Sequence, residues 1–511
     1  MNKPMDTSSP PSPPVTSLAE LEFFYNSIFE NEVLPYGELQ QVEIFLSNLV
    51  DAFPAVERLI LQEQIIPTFK AAPRDMKAEI IGKVIRLAKE HGVDCGKDGH
   101  DAQLMEKAFA AFIEEVNHGK AGKGRVVFVT HSPYFVILRE AMNLRRKGYR
   151  VFLATIWPIP EELGRLFKDC FDGIAYTYGC IRVMRRLLAS LEPDIFHVQC
   201  WMMFYFLGRL AIENRKSAAV VCEFYDITSV YADRATLCTN WPVQSVDFDL
   251  EMERFILHEA NAVIHRFPRD VVAEWRERHG AMPPEIEMQA YACQEFTAYC
   301  EDKMSHADGI PRVVYAGGIV PYSKRYSLEL FPERGMIHVF RHLLELGLEV
   351  VVFPSPHSPV EGDDPEYAPY FELVEEFPRF SILGSVPPDR LAREISVYDY
   401  GLLLSKMDFN VLRVSNSLLR GAVGTKLFAY LEAGLPVLVN AEYKEMSRIV
   451  TEHGMGMAVH TSELGNLAEI LDNFDYNQAV ENIRRFNEEH AMHLEVERVI
   501  ALYEEIRPRN P

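Results

Sequence analysis

Apolar residues recur along this chain with two different periods, and the change of period divides the chain. Over residues 18–120 they recur every three or four residues, as in LAELEFFYNSIFENEVL and LMEKAFAAFIEEVNHGK. This spacing is typical of amphipathic helices. From RVVFVT (125–130) onward, short continuous apolar runs alternate with helical segments, and a second such series begins at RVVYAGG (312–318). Runs of this kind are typical of strands buried in a parallel sheet.

The alternation of strands and helices predicts an α/β protein with two Rossmann-like, doubly wound domains, preceded by an all-α domain. The first residues, MNKPMDTSSPPSPPVTS, are polar and rich in Pro and Ser, which predicts a disordered leader and no secretory signal. The predicted segments are a leader over 1–17, a helical accessory domain over 18–120, a first Rossmann-like domain over 125–305, a second over 306–470 and a helical tail over 471–511.

Composition excludes several classes of function. The 511 residues include 52 Lys and Arg against 74 Asp and Glu, a formal net charge of −22, which argues against a nucleic-acid partner. No apolar run approaches the roughly 18–20 residues that span a bilayer. The eight cysteines are scattered and no Cys/His group has zinc-site spacing. We therefore expect a cytoplasmic protein without a bound metal.

The segment GTKLFAYLEAGLPVLVN (424–440) carries the strongest candidate chemistry. Gly424 and Thr425 open a predicted helix, where free backbone N–H groups and the positive end of the helix dipole favour an anion. Lys426 adds a cation in the first turn, where the dipole disfavours it unless an anion is bound. The alternative is an ordinary junction between a helix and a strand with an exposed lysine.

This segment, extended to GAVGTKLFAYLEAGLPVLVN (421–440), resembles the motif of the retaining, nucleotide-sugar-dependent glycosyltransferases of the GT-B fold, the glycosyl transferases group 1 family. YAGGIVPYSKRYSLELF (315–331) looks like the family's first nucleotide-domain strand and Gly-rich turn. FSILGSVPPDRLAREISVYDYGLLL and RIVTEHGMGMAV look like the stretches that flank the donor site, and PDIFHVQCW and VVCEFYDITSV resemble acceptor-domain strands. The resemblance extends over 125–470.

The resemblance implies transfer of a sugar from a nucleotide diphosphate donor to an acceptor hydroxyl, with retention, without a metal and with no cofactor besides the donor substrate. Lys324 or Arg325 and Lys426 would neutralise the charge that builds on the leaving diphosphate. Gly317 and Gly318 would let the backbone approach the ligand closely. From the residues alone, Lys324 and Arg325 are equally compatible with a solvated loop.

Polar residues at strand ends of the first domain are the acceptor-side candidates. Asp226 follows a predicted strand, at the place where the family often has a His-Asp pair, and would orient the acceptor hydroxyl. His131, His197 and Glu223 also lie at predicted strand ends, where ligands of doubly wound sheets bind. For each of these residues alone, a structural role is the alternative.

The sequence departs from the family at a pair of glutamates separated by seven residues. Aligned on Gly434, Leu435 and Pro436, the two positions hold Gly421 and Ala429. Glu432 follows one helical turn later and is a candidate for a ribose contact, or an ordinary surface acid. The alternative function is therefore a non-catalytic GT-B-like protein that binds a nucleotide sugar or acts as a scaffold. The acceptor would be a glycan, lipid or protein, and the helical accessory domain could recruit a partner or mediate oligomerisation.

Overall fold

The computed structural model describes residues 109–507 except 121, 135, 158, 178–180, 323–326, 358–359, 361 and 363, and a few residues between 80 and 90. The predicted leader and most of the predicted helical accessory domain lie outside the described residues. The end of that domain is a helix over 109–118, whose Phe112 packs edge-on against Phe152 with ring centroids 5.9 Å apart.

The first α/β domain contains a seven-stranded parallel sheet in the order β3-β2-β1-β4-β5-β6-β7. The continuous apolar runs of the sequence become its central strands, and every residue of β4 and β5 is buried. The strands are β1 Arg125–Thr130, β2 Arg150–Thr155, β3 Gly173–Tyr176, β4 Ile195–Cys200, β5 Ala219–Phe224, β6 Ala262–His265 and β7 Glu285–Glu287.

Helices cover both faces of this sheet, as a doubly wound arrangement requires. They are α1 Val136–Arg146, α2 Gly164–Cys170, α3 Ile181–Ser190, α4 Phe206–Asn214, α5 Thr228–Tyr231, α6 Arg234–Leu237, α7 Val243–Glu259 and α8 Arg269–His279. The strand order changes direction between β1 and β4, so the loops after these strands open a crevice at the carboxyl edge.

The second α/β domain repeats the arrangement with a six-stranded parallel sheet in the order β10-β9-β8-β11-β12-β13. Its strands are β8 Arg312–Ala316, β9 Glu349–Phe353, β10 Phe380–Ile382, β11 Tyr400–Leu403, β12 Val437–Asn440 and β13 Gly456–Val459. Its helices are α9 Ser305–Asp308, α10 Met336–Glu345, α11 Ala368–Glu376, α12 Pro388–Ile395, α13 Asn416–Gly421, α14 Lys426–Glu432, α15 Lys444–Glu452 and α16 Leu467–Asp472. The predicted pair of Rossmann-like domains is confirmed.

Two helices end the described chain and pack on different domains. Helix α17 (Tyr476–Glu489) packs against α14 of the second domain, and α18 (Met492–Ile506) packs against α1 of the first. The apolar side of α18, including Met492, Val496 and Val499, belongs to the hydrophobic core beneath the first sheet. None of the described helices is long and apolar enough to cross a membrane.

Candidate functional site

Two adjoining cavities lie between the domains, at the carboxyl edges of both sheets, and Lys426 lines both. Cavity A encloses about 190 Å³, and its polar lining residues include Asp226, Glu333 and Tyr443. Cavity B encloses about 260 Å³ and is lined mainly by aromatic and apolar side chains, with Gly317 and Gly318 in its wall. The cleft therefore joins an acidic compartment and an apolar compartment at a lysine.

Lys426 is the first residue of α14, and its half-buried side chain reaches across the end of β8. The ammonium nitrogen lies 5.5 Å from the centroid of the Tyr315 ring, within range of a cation–π interaction. Burial lowers the pKa of Lys426, and the negative charge of Glu333 opposes this shift. No carboxylate among the residues that the structure describes forms an ion pair with Lys426, so its charge is available to an anion in the cleft.

Gly317 makes room for this lysine. Its φ of +146° is one that side-chain-bearing residues rarely adopt, and a Cβ built there would lie 2.2 Å from Lys426 Cε. Gly317 N–H donates to the carbonyl of Phe353 at 2.9 Å, which fixes the turn after β8. The glycine and the lysine thus form one packed unit in the wall of cavity B.

We expect Gly317→Ala to lower the free energy of unfolding by about 1–3 kcal/mol, because the new methyl group strains the backbone and displaces Lys426. Gly424→Ala is the matched control: a Cβ there would meet only Met446 Sδ, at 3.8 Å. This second variant should remain within about 0.5 kcal/mol of the parent. Urea unfolding of both variants measures the difference, and equal destabilisation would contradict the packing of Lys426 against Gly317.

Two acids in cavity A come from opposite domains. Asp226 follows β5; burial raises its pKa to about 6, although the neighbouring Arg266 opposes the shift. Glu333 lies in a short 3-10 helix, Pro332–Gly335, ahead of α10; burial raises its pKa as well, opposed by Lys426. Sequence analysis missed Glu333. The available signal was a carboxylate just ahead of the helix that follows the Gly-rich turn.

Cavity B offers flat aromatic surfaces. The Tyr134 ring lies 4.5 Å from the Trp201 ring and 5.0 Å from the His357 ring, and Trp201 stacks on Tyr225 at 4.4 Å. Apolar residues of the second domain complete the wall, namely Phe353, Val386, Pro388 and Leu391. A planar, largely apolar group fits such a compartment better than a charged one.

The other residues predicted from the sequence lie in different places. Gly318, Gly424 and Thr425 line the cavities with Gly317, Asp226 and Lys426. Lys324 and Arg325 lie outside the described residues, so their roles stay predictions.

The three acceptor-side candidates His131, His197 and Glu223 are buried instead of lining either cavity. The His131 ring stacks on Phe204 at 3.9 Å, and burial lowers its pKa to about 3, which keeps it neutral at physiological pH. His197 and Glu223 lie in the core beneath the first sheet.

The second domain matches a known family, and the two-domain architecture resembles solved structures. Residues 367–494 match the family described as Glucosyltransferase 3-like, C-terminal domain. The sucrose-phosphate synthase (tll1590) of Thermosynechococcus elongatus is similar in structure, with a TM-score of 0.52 and 12% identity over 75% of this chain and 98% of that chain. The protein has the GT-B fold. Alr3699/HepE of Anabaena, in complex with UDP-glucose, gives a TM-score of 0.49 at 12% identity over 75% of this chain and 98% of that chain. No curated protein sequence matches.

Gly421 and Ala429, which occupy the positions of the family's two glutamates, have different surroundings in this GT-B cleft. Ala429 lines cavity B. Gly421 packs against the first domain, and a Cβ built there would lie 2.8 Å from Phe267 Cδ1. A longer side chain at 421 therefore requires a different fit between the domains.

Glu432 joins the two domains of the GT-B fold. Arg139 of α1 donates to both of its oxygens, Nε to Oε1 at 2.9 Å and Nη2 to Oε2 at 2.6 Å, and the N–H of Cys293 donates to Oε1 at 2.8 Å. Both side chains of the pair are only 2% exposed. The carboxylate is engaged by protein groups, and the ribose contact suggested by the sequence stays a prediction.

Proposed function

We propose that this protein is a glycosyltransferase that moves a sugar from a nucleoside diphosphate donor to an acceptor hydroxyl. The observation that carries the proposal is the position of Lys426, a cation without an ion-pair partner among the described residues, between an apolar aromatic cavity and an acidic one. A nucleotide sugar has the same order of parts: a planar base, an anionic diphosphate and a hydroxyl-rich sugar. The GT-B fold and the Glucosyltransferase 3-like match support this assignment.

In the proposed complex, the base occupies cavity B and the diphosphate lies against Lys426 and the turn at Gly317 and Gly318. Transfer breaks the bond between the anomeric carbon and the β-phosphate oxygen, so negative charge grows on the leaving diphosphate. A preorganised ammonium group stabilises that charge without a metal. Lys324 and Arg325 are the further candidates for the same task.

The sugar and the acceptor meet in cavity A. The Asp226 carboxylate accepts a hydrogen bond from the acceptor hydroxyl and orients its oxygen toward the anomeric carbon. As the new glycosidic bond forms on the face that the leaving group vacates, the hydroxyl proton passes to the departing phosphate, and configuration is retained. Glu333, on the opposite wall, supplies a carboxylate to the sugar hydroxyls where the family's glutamates are absent.

The transfer rate should follow the ionisation of Asp226. Because the carboxylate is the active form and its pKa is about 6, we expect kcat/KM to rise with pH through about 6 and then level off. Asp226→Asn removes this rise and leaves a low rate. The matched control is Asp249→Asn: Asp249 also has a raised pKa, about 7, but it binds the Thr228 hydroxyl in the core. A profile of kcat/KM against pH in which the Asp249 variant alone loses the rise would contradict this assignment.

A second candidate function is binding without turnover, and the residues at Gly421 and Ala429 favour it. Calorimetric titration of the full-length protein with UDP, GDP and ADP, followed by assay of diphosphate release from the matching nucleotide glucose, separates the two. Binding with release supports the transferase, and binding without release supports the scaffold. If none of the three nucleotides binds, transfer from UDP, GDP or ADP sugars and binding of these nucleotides are both contradicted.

A further inference from the structure

A cluster of buried polar side chains lies away from the cleft, in the core between the first sheet and helices α1 and α18. Glu140 of α1, His197 of β4 and Glu223 of β5 are at most 1% exposed. The proposed transfer reaction uses none of them. Ionisable groups this deep in a core are costly to bury unless each finds a partner.

Three atoms of this cluster converge on one another, and none of them makes a hydrogen bond of good geometry: Glu140 Oε2, His197 Nε2 and Glu223 Oε2. His197 Nε2 lies 3.9 Å from Glu140 Oε2 and 3.3 Å from Glu223 Oε2. One ligand atom from each residue lies within 4.8 Å of the others. For a triangle of these sides, a single point lies about 2.0–2.4 Å from all three corners, close to the bond lengths of Zn²⁺ to nitrogen and oxygen ligands.

Neighbouring groups contact the atoms of these side chains that do not converge. His197 Nδ1 is hydrogen-bonded to the Tyr503 hydroxyl at 2.6 Å, and Phe128 stacks on the imidazole ring at 4.6 Å. With Nδ1 as the donor, Nε2 presents its lone pair to the two carboxylates. Arg266 donates to Glu223 Oε1 at 3.3 Å, away from the converging Oε2. Outer contacts that orient inward-facing ligand atoms are the usual second layer of a metal site.

The excess of carboxylates in the cluster favours a cation. Two carboxylates and the guanidinium of Arg266 leave one negative charge beside the His197 ring. Burial, and then the neighbouring Glu223, raise the pKa of Glu140, so a proton is one way to neutralise the site. One proton bridges only two of the three converging atoms, however, whereas a metal ion contacts all three at once.

We propose that Glu140, His197 and Glu223 bind a divalent transition-metal cation. A mixed set of imidazole and carboxylate ligands suits Zn²⁺ or Mn²⁺ better than Mg²⁺ or Ca²⁺, which prefer oxygen alone. The ion links α1, β4 and β5 and, through the Tyr503 hydroxyl, α18. The role is structural, and it does not depend on the proposed sugar transfer. The ligands lie far apart in the sequence, which is why no spacing motif indicated them.

The metal content of the full-length protein tests the proposal. After expression in medium containing Zn²⁺ and Mn²⁺, we expect about one tightly held ion per chain by mass spectrometry of the purified protein. Glu140→Gln removes one ligand charge at nearly constant volume and should abolish this binding. Glu253→Gln is the matched control, because Glu253 is equally buried in the same domain but accepts hydrogen bonds from Trp275 at 2.8 Å and Ser229. This variant should retain the ion.

Titration of chelator-treated parent protein with Co²⁺ gives an independent readout, because Co²⁺ bound by nitrogen and oxygen ligands absorbs visible light. A visible band of the parent protein supports the site even if Glu140→Gln fails to fold. Parent protein that holds no metal and gives no Co²⁺ band overturns the proposal. In that case Glu140→Gln should be about as stable as the parent, because glutamine keeps the volume of the side chain and no metal ligand is lost.

Discussion

The Lys426→Ala variant should transfer sugar about 100- to 1,000-fold more slowly than the parent protein, because it lacks the cation that meets the leaving diphosphate. Lys426 is half-buried and held against Gly317 and the Tyr315 ring, so little reorganisation opposes its action. The loss should therefore appear mainly in kcat, since the charge on the phosphate grows as the bond breaks. Diphosphate release at saturating donor measures it.

Lys303→Met is the matched control for this variant. Lys303 is the buried lysine at the start of the second domain; it donates to the carbonyl of Ser396 at 2.6 Å and lines neither cavity. Its replacement removes a buried ammonium group without touching the cleft, so kcat should stay near that of the parent. If both variants lose activity equally, the effect of Lys426 on catalysis is no more than an effect on folding.

The Arg139→Met variant should lose about 3–5 kcal/mol of unfolding free energy, because it leaves the Glu432 carboxylate charged, buried and without its counter-ion. The two side chains form a bidentate pair at 2.9 and 2.6 Å, and each is 2% exposed. Since Arg139 and Glu432 belong to different domains, the contact between the domains should weaken with it. Urea denaturation, followed by tryptophan fluorescence, measures the loss.

An exposed pair in the same protein sets the baseline. Arg209 and Glu213 of α4 are 2.7 Å apart and 40% and 37% exposed, so Glu213→Ala should cost no more than about 0.5 kcal/mol. The double variant Arg139→Met with Glu432→Leu should recover much of the loss, because no charge remains buried. An Arg139→Met variant that unfolds at the denaturant concentration of the parent would mean that the pair does not hold the domains together.

The sequence predicts the fold because each strand and helix is indicated by residues within its own segment of the chain. Continuous apolar runs and the helices between them predict both doubly wound sheets. The segment 424–440 locates Lys426, and the glycine after β8 locates its packing partner. These features depend on residues within one element or on the turn that follows it.

The rest of the site depends on contacts that the local pattern does not contain. Glu432 lies on nearly the same helix face as Ala429, but it meets Arg139, which is 293 residues away in the chain. His197 lies in the middle of β4 and not at its end as predicted, whereas Glu223 is the residue before the end of β5. Their side chains point toward α1 and α18, below the sheet, and not into the cleft. Glu333 enters cavity A from the 3-10 helix Pro332–Gly335, which is separated from β8 by a connection whose path the local pattern does not indicate.

Helix α18 follows the second domain in the chain but packs on the first domain. The first domain can therefore complete its core only after the second domain has been translated. Residues from Met492 to Tyr503 fill the core beneath β1, β4 and β5, and the Tyr503 hydroxyl contacts His197. While the chain is being synthesised, this core has an open side until the second domain has left the ribosome. The domain that is translated first is therefore completed after the second, and a nonsense mutation within the codons of α18 would open the core of the first domain while leaving both sheets translated.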